Sequence, residues 1–138
     1  MNYFDITEFI IDPDAKVVPI DVVQKIDTFH KPILNAIREQ LGIPVIISKH
    51  SGYRTVEWEK ERGRSGNSQH TFKGKGAVDV RSIEDFKELL RLLIDSDYMR
   101  VCYYPHHGFV HCDFKGYHRQ YFEADENGKW HFKRNRNL

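Results

Sequence analysis

The chain is poor in cysteine, holding only Cys102 and Cys112 in 138 residues. Two thiols without C-x-x-C spacing exclude a disulfide framework and leave a reduced pair, buried as small apolar side chains. An excess of charge of either sign is missing too. Lys and Arg number 21 against 20 for Asp and Glu, a formal net charge of +1, so no broad field draws the protein to nucleic acid or to an anionic membrane. No apolar run approaches the roughly 18 residues of a membrane helix. The start, Met1-Asn2-Tyr3-Phe4-Asp5, has neither the charged nor the apolar region of a secretion signal. Internal repeats and low-complexity tracts are absent. These absences, with 40% apolar and 13% aromatic residues, leave one domain over residues 1–138 with a single core, expected to be a monomer without nucleic-acid or membrane partners.

Positive signals then order the chain. Residues 1–19 contain Asp12, Pro13, Asp14 and Pro19 and read as an irregular arm around the domain, with one helical turn near Ile6–Ile10. From Asp21 the apolar residues Val22, Ile26, Phe29, Ile33, Ile37 and Leu41 recur every three or four positions, a helical stripe ending at Gly42, with Pro32 a point of kinking. Pro44-Val45-Ile46-Ile47 predicts a buried strand, and Thr55 caps a short helix running to Glu61. After a loop at Gly63–Asn67, a strand spans Ala77–Val80. Ser82 then caps a helix with the stripe Ile83, Phe86, Leu89, Leu90 and Leu93, Asp85 completing a capping-box spacing. Residues 100–104 and 108–114 read as strands, 120–132 as a hairpin turning at Glu126-Asn127-Gly128, and 133–138 as a frayed tail. The fold class is α+β, an antiparallel sheet with helices on one face.

Strand periodicity puts Phe109, His111 and Asp113 on one face and Val110 and Cys112 on the other. His111 and Asp113 thus share an environment, as a ligand with a base, a ligand with an orienting carboxylate, or a surface pair. Asp79 lies within an apolar strand, where a carboxylate is costly unless paired or metal-bound, an Arg being the simplest partner. His70 ends a glycine-rich loop, where an ordinary solvated histidine is equally at home.

In order and spacing, Ser51-Gly52-Tyr53-Arg54, Gly63, Ser68-Gln69-His70, Gly76-Ala77-Val78-Asp79 and Phe109-Val110-His111-Cys112-Asp113 resemble the M15 family of zinc D-alanyl-D-alanine peptidases. The likeness is greatest to its small bacteriophage and bacterial members and runs from Tyr3 to about Phe114. It implies the fold shared with the signalling domain of Hedgehog proteins. It also implies one zinc ion per chain on His70, Asp79 and His111, and a peptidoglycan stem peptide as substrate. Arg54 falls where the family places an arginine for a substrate carboxylate or oxyanion, a role its bidentate fork suits. Two positions depart from the family pattern. The interval from His70 to Asp79 is nine positions, longer than in most relatives, and Gly108 stands where several branches carry an acidic base. Asp113 is then the expected general base, with His106 or His107 as alternatives, while Ser68, Tyr103 and His106 are expected at the substrate. Competing readings are a non-catalytic binding module on the same fold and a phage structural component. Without an export signal, the expectation is synthesis in the cytoplasm and action on the wall after release, as for a phage lysin.

Overall fold

A computed structural model describes residues 2–9, 18–48 and 52–136. Asp12, Pro13 and Asp14 of the expected arm lie outside them, while Ile6–Phe9 form a short 3-10 turn. The stripe from Asp21 becomes α1 (Ile20–Lys25), a π-helical turn (Ile26–His30) and α2 (Lys31–Leu41). Pro32 explains the π turn. A proline lacks an N–H and its ring collides with the carbonyl four residues earlier, so the wider turn relieves the clash without breaking the rod. Gly42, at φ 77, ends α2 with a left-handed cap. The buried face comprises Val22, Ile26, His30, Leu34 and Ile37.

Helix α3 (Val56–Glu61) follows its expected cap, the Thr55 hydroxyl accepting from the Trp58 N–H at 3.0 Å. Helix α4 (Phe86–Ile94) begins later than the Ser82 cap predicts. The Ser82 hydroxyl instead donates to the Glu84 carbonyl at 2.7 Å, and Asp85 sits at φ 50. That local turn competes with the helix, so Ile83 falls outside the stripe and is 79% exposed.

Six strands form one sheet in the order β1-β2-β4-β3-β5-β6. They are β1 (Ile46–Ile47), β2 (Ala77–Arg81), β3 (Arg100–Tyr104), β4 (Phe109–Asp113), β5 (Gln120–Ala124) and β6 (Trp130–Asn135). The sheet is mixed rather than antiparallel, because β5 pairs with β3 in parallel. Both edges of β4 are already occupied by β2 and β3. The chain leaving β4 therefore passes the end of β3 and takes its free edge, a short connection because β5 still runs antiparallel to β4. Val78, Val80, Val101, Val110, Cys112 and Tyr121 alternate onto the face packed against the helices. Cys102 pairs with His111, and Cys112 with Val101. The two thiols thus point to opposite faces and cannot bridge.

The tail expected to fray is ordered through Arg136. β6 continues to Asn135, and the buried Arg136 guanidinium donates to the carbonyls of Leu93, Ser96 and Tyr98. A basic composition suggested solvent, but the peptide carbonyls at the end of α4 offer a burial site for a cation. No helix among the described residues is long and apolar enough to cross a membrane.

Candidate metal centre

β2 and β4 are neighbours, and their register sets Asp79 directly opposite His111 on the face away from α1, α2 and α4. His70 arrives from a 3-10 turn (Gln69–Thr71) capped by Ser68, whose hydroxyl accepts from the His70 N–H at 3.0 Å. The Arg54 N–H donates to the His70 carbonyl at 2.8 Å, tying the segment after Gly52 to this turn. Among the described residues, His70, Asp79 and His111 form a buried group whose donor atoms all lie within 4.8 Å of one another, and which could hold a metal ion.

Each imidazole is oriented from behind. Nδ1–H of His70 donates to the Gly52 carbonyl at 2.9 Å, which leaves Nε2 unprotonated and 3.4 Å from Asp79 Oδ1. Nδ1 of His111 lies 2.8 Å from the same oxygen, while its Nε2 lies 2.8 Å from Asp113 Oδ2. Asp113 is fully buried and also receives a forked bond from Arg100, whose Nε and Nη2 approach it at 2.9 and 2.6 Å. A ligating histidine whose far N–H is held by a carbonyl or carboxylate has its tautomer and ring plane set in advance.

Burial opposes charge throughout this group. It lowers His70 despite the opposing pull of Asp79. Burial would also lower His111, but its hydrogen bonds to Asp113 and Asp79 outweigh it and hold that imidazole up at about 9, with a proton on Nδ1 that a bound metal would displace. Burial alone would raise Asp79 and Asp113, yet the histidines, and for Asp113 also Arg100, hold both well below the usual carboxylate range. Both carboxylates are therefore anionic near neutral pH, as metal ligation and ligand orientation require.

The long interval between His70 and Asp79 is absorbed by a loop clamped to the first helices. Lys25 Nζ donates to the Phe72 carbonyl at 2.8 Å, and His30 Nε2–H to the Lys75 carbonyl at 2.9 Å. Nδ1 of His30 accepts from the Tyr98 hydroxyl at 2.8 Å, and burial pushes this histidine down to about 4. Gly76 closes the loop at φ 91, where a Cβ would stand 2.2 Å from the Phe72 ring. Only glycine fits there.

Arg54 is buried beside the group. Its Nη1 lies 3.3 Å from Glu59 Oε2 and its Nη2 3.9 Å from Asp79 Oδ2. The Trp58 ring lies 5.3 Å from the guanidinium carbon. Burial lowers its pKa, with Asp79 opposing.

The remaining expected residues scatter. Tyr103 alternates onto the helix side, with its ring 5.4 Å from Phe86, and the tyrosine on the metal-site face is Tyr104. His106 is exposed on the turn between β3 and β4, and Ser68 is used as a cap. Asp113 lies behind His111, across the ring from Asp79. Four features escaped sequence reasoning: the Gly52 carbonyl, Glu59, Arg100 and Trp130. Arg100 was within reach, since the register of a hairpin between 100–104 and 109–113 places it opposite Asp113. Glu59 on a short polar helix and Trp130 beyond a distant turn carry no local mark of their neighbours.

No curated protein matches the chain. Residues 2–113 match the family described as Peptidase M15, a span that contains the clustered His70, Asp79 and His111, Arg54 and the carboxylate behind His111. By that match, covering most of its length, the chain belongs to the M15 peptidase family.

Proposed function

We propose that this protein is a zinc-dependent peptidase that hydrolyses an amide bond in peptidoglycan stem peptides, as a carboxypeptidase or as an endopeptidase of the lysin type. The observation that carries the reading is the buried His70, Asp79 and His111 group, with one carboxylate and two histidines whose far nitrogens are already held by Gly52 and Asp113. Two imidazole nitrogens and a carboxylate oxygen make a donor set suited to zinc with a coordination position left for water. Held by His70 Nε2, Asp79 Oδ1 and His111 Nδ1, zinc would supply a Lewis acid for the scissile carbonyl and a water activated near neutral pH.

The chain's own groups would do the rest. Arg54, restrained by Glu59, offers a forked donor to a substrate carboxylate or to the oxyanion formed from the carbonyl. Asp113 orients His111 and is committed to Arg100, so we assign it a positioning role in place of the general base expected of it. Taking the proton of the attacking water and passing it to the leaving amine would then fall to the exposed turn that carries His106 and His107, where the His107 ring lies 6.2 Å from Tyr104 and 6.3 Å from Phe109. Gly108, exposed at φ 72 three positions before His111, carries no acid, and this favours the second reading, a module that binds metal and peptide without turnover.

The test is release of amino groups from purified peptidoglycan by protein loaded with one equivalent of zinc. The peptidase reading expects release that a chelator stops, that zinc restores, and that His111→Ala abolishes. Release surviving His111→Ala refutes it, and tight zinc binding without turnover establishes the second reading.

A further inference from the structure

The sheet face that carries the metal group also carries a row of aromatic rings. Register and alternation place Tyr104 of β3, Phe109 of β4, Phe122 of β5, and Trp130 and Phe132 of β6 on it. The rings succeed one another away from the site. Trp130 lies 5.2 Å from His111, Phe122 lies 5.2 Å from Trp130, and Phe132, 54% exposed, lies 5.8 Å from Phe122. Trp130 is held rigidly, its indole N–H donating to the Tyr104 hydroxyl at 2.6 Å and the Arg100 guanidinium carbon lying 4.7 Å over its ring. Arg100 is in turn anchored on Asp113. Apart from Tyr104 and Phe109, these aromatics lie beyond residue 113, past the segment that matches the family.

We infer that this strip is a saccharide subsite, which seats the amino sugar bearing the stem peptide while the peptide runs to His111. The inference rests on the peptidoglycan reading of the same site. A pyranose offers one face of weakly positive C–H groups to the negative face of an aromatic ring and keeps its hydroxyl and acetamide groups at the rim. Strands stand about 4.8 Å apart, so the three steps from β4 to β6 span roughly 14 Å, the scale of one or two sugar rings. A strip one ring wide is far below the roughly 800 Å² per partner of a stable protein interface. Its continuity with a metal ligand makes substrate the occupant. A sugar over Phe122 and Trp130 leaves only a short length of peptide before His111, so the bond cut is one near the glycan.

The test is titration of the zinc-loaded protein with peptide-free tetra-N-acetylglucosamine, read from the Trp130 indole N–H resonance. Saturable displacement is expected, weakened about tenfold in Phe132→Ala and likewise in Phe132→Leu, which keeps an apolar side chain but removes the ring. No displacement in the wild type overturns the subsite, and full retention in Phe132→Leu overturns the ring-stacking basis for it. In hydrolysis, KM for a muramyl-linked stem peptide should be about tenfold below that of the free peptide, the ratio falling toward one in Phe132→Ala. Equal KM values in the wild type count against the subsite. Saccharide binding with neither peptide hydrolysed refutes the peptidase reading alone, because the titration needs no turnover.

Discussion

Asp113→Asn separates orientation from proton transfer. In the wild type the Asp113 carboxylate accepts from His111 Nε2 at 2.8 Å and from Arg100 at 2.6 to 2.9 Å, with no exposure to solvent. The amide keeps one acceptor oxygen but loses the charge that supports the His111 tautomer and balances Arg100. Loss of such an outer partner weakens metal binding by about 10- to 100-fold, and the retained acceptor places this variant near tenfold, about 1.4 kcal/mol. A general base behaves differently, since its removal lowers kcat by roughly 10²- to 10⁴-fold and leaves metal affinity intact. The assay is zinc affinity by competition with a chromophoric chelator, run beside kcat on a stem peptide and the ¹⁵N shifts of His111. Arg100→Lys, which loses the fork but keeps the charge, should weaken zinc in the same direction by less. Wild-type zinc affinity in Asp113→Asn, together with a kcat lowered more than a hundredfold, would refute the positioning role and restore Asp113 as the base.

His30 sets a second expectation. Its folded pKa of about 4 lies below the ordinary 6.5, so between these values the unfolded chain binds a proton that the folded one does not. Its contribution is fully present above about pH 6.5 and is lost as pH falls toward 4, on the order of 3 kcal/mol. Urea unfolding of His30→Phe should show a shallower loss over that window, and an unchanged pH slope would count against it. Gly52→Ala would bring a Cβ within 2.2 Å of the Phe9 carbonyl oxygen, a backbone clash expected to cost about 2–3 kcal/mol and to disturb the carbonyl that holds His70. A wild-type melting temperature and zinc affinity would disprove that. Glu59→Gln leaves the buried Arg54 with a neutral partner at 3.3 Å. Asp79 at 3.9 Å still balances the guanidinium, so the change should cost about 1–2 kcal/mol in unfolding free energy and raise KM for a carboxylate-bearing substrate. Unaltered stability and KM would show that Arg54 is not anchored there.

Much of the fold was legible because the periodic signals were local. The stripe from Val22 to Leu41, the Thr55 cap and the turn at Glu126-Asn127-Gly128 each state their geometry within a few residues. The parallel pairing of β5 with β3 was not legible, since it depends on which strand edges other segments had already taken. Nor was the late start of α4, where the Ser82 hydroxyl closed a turn that the capping pattern had promised to a helix. Arg136 looked like a solvated tail residue because its acceptors, the carbonyls of Leu93, Ser96 and Tyr98, lie about 40 positions earlier in the chain.

By itself the sequence determined the family motif, and strand alternation put His111 and Asp113 on one face with Cys112 behind them. It could place a residue on a face because side-chain direction along a strand repeats every two positions. Only the tertiary structure decided what each residue meets there. Asp113 shares the face of His111 yet lies across the imidazole from Asp79, committed to Arg100 from the neighbouring strand. Arg54 takes Glu59 from a helix, and Trp130 reaches His111 from the last strand. A carboxylate acts as ligand, base or orienting partner according to displacements of a few ångströms. Those displacements are set by elements distant in sequence, whose packing no local period records.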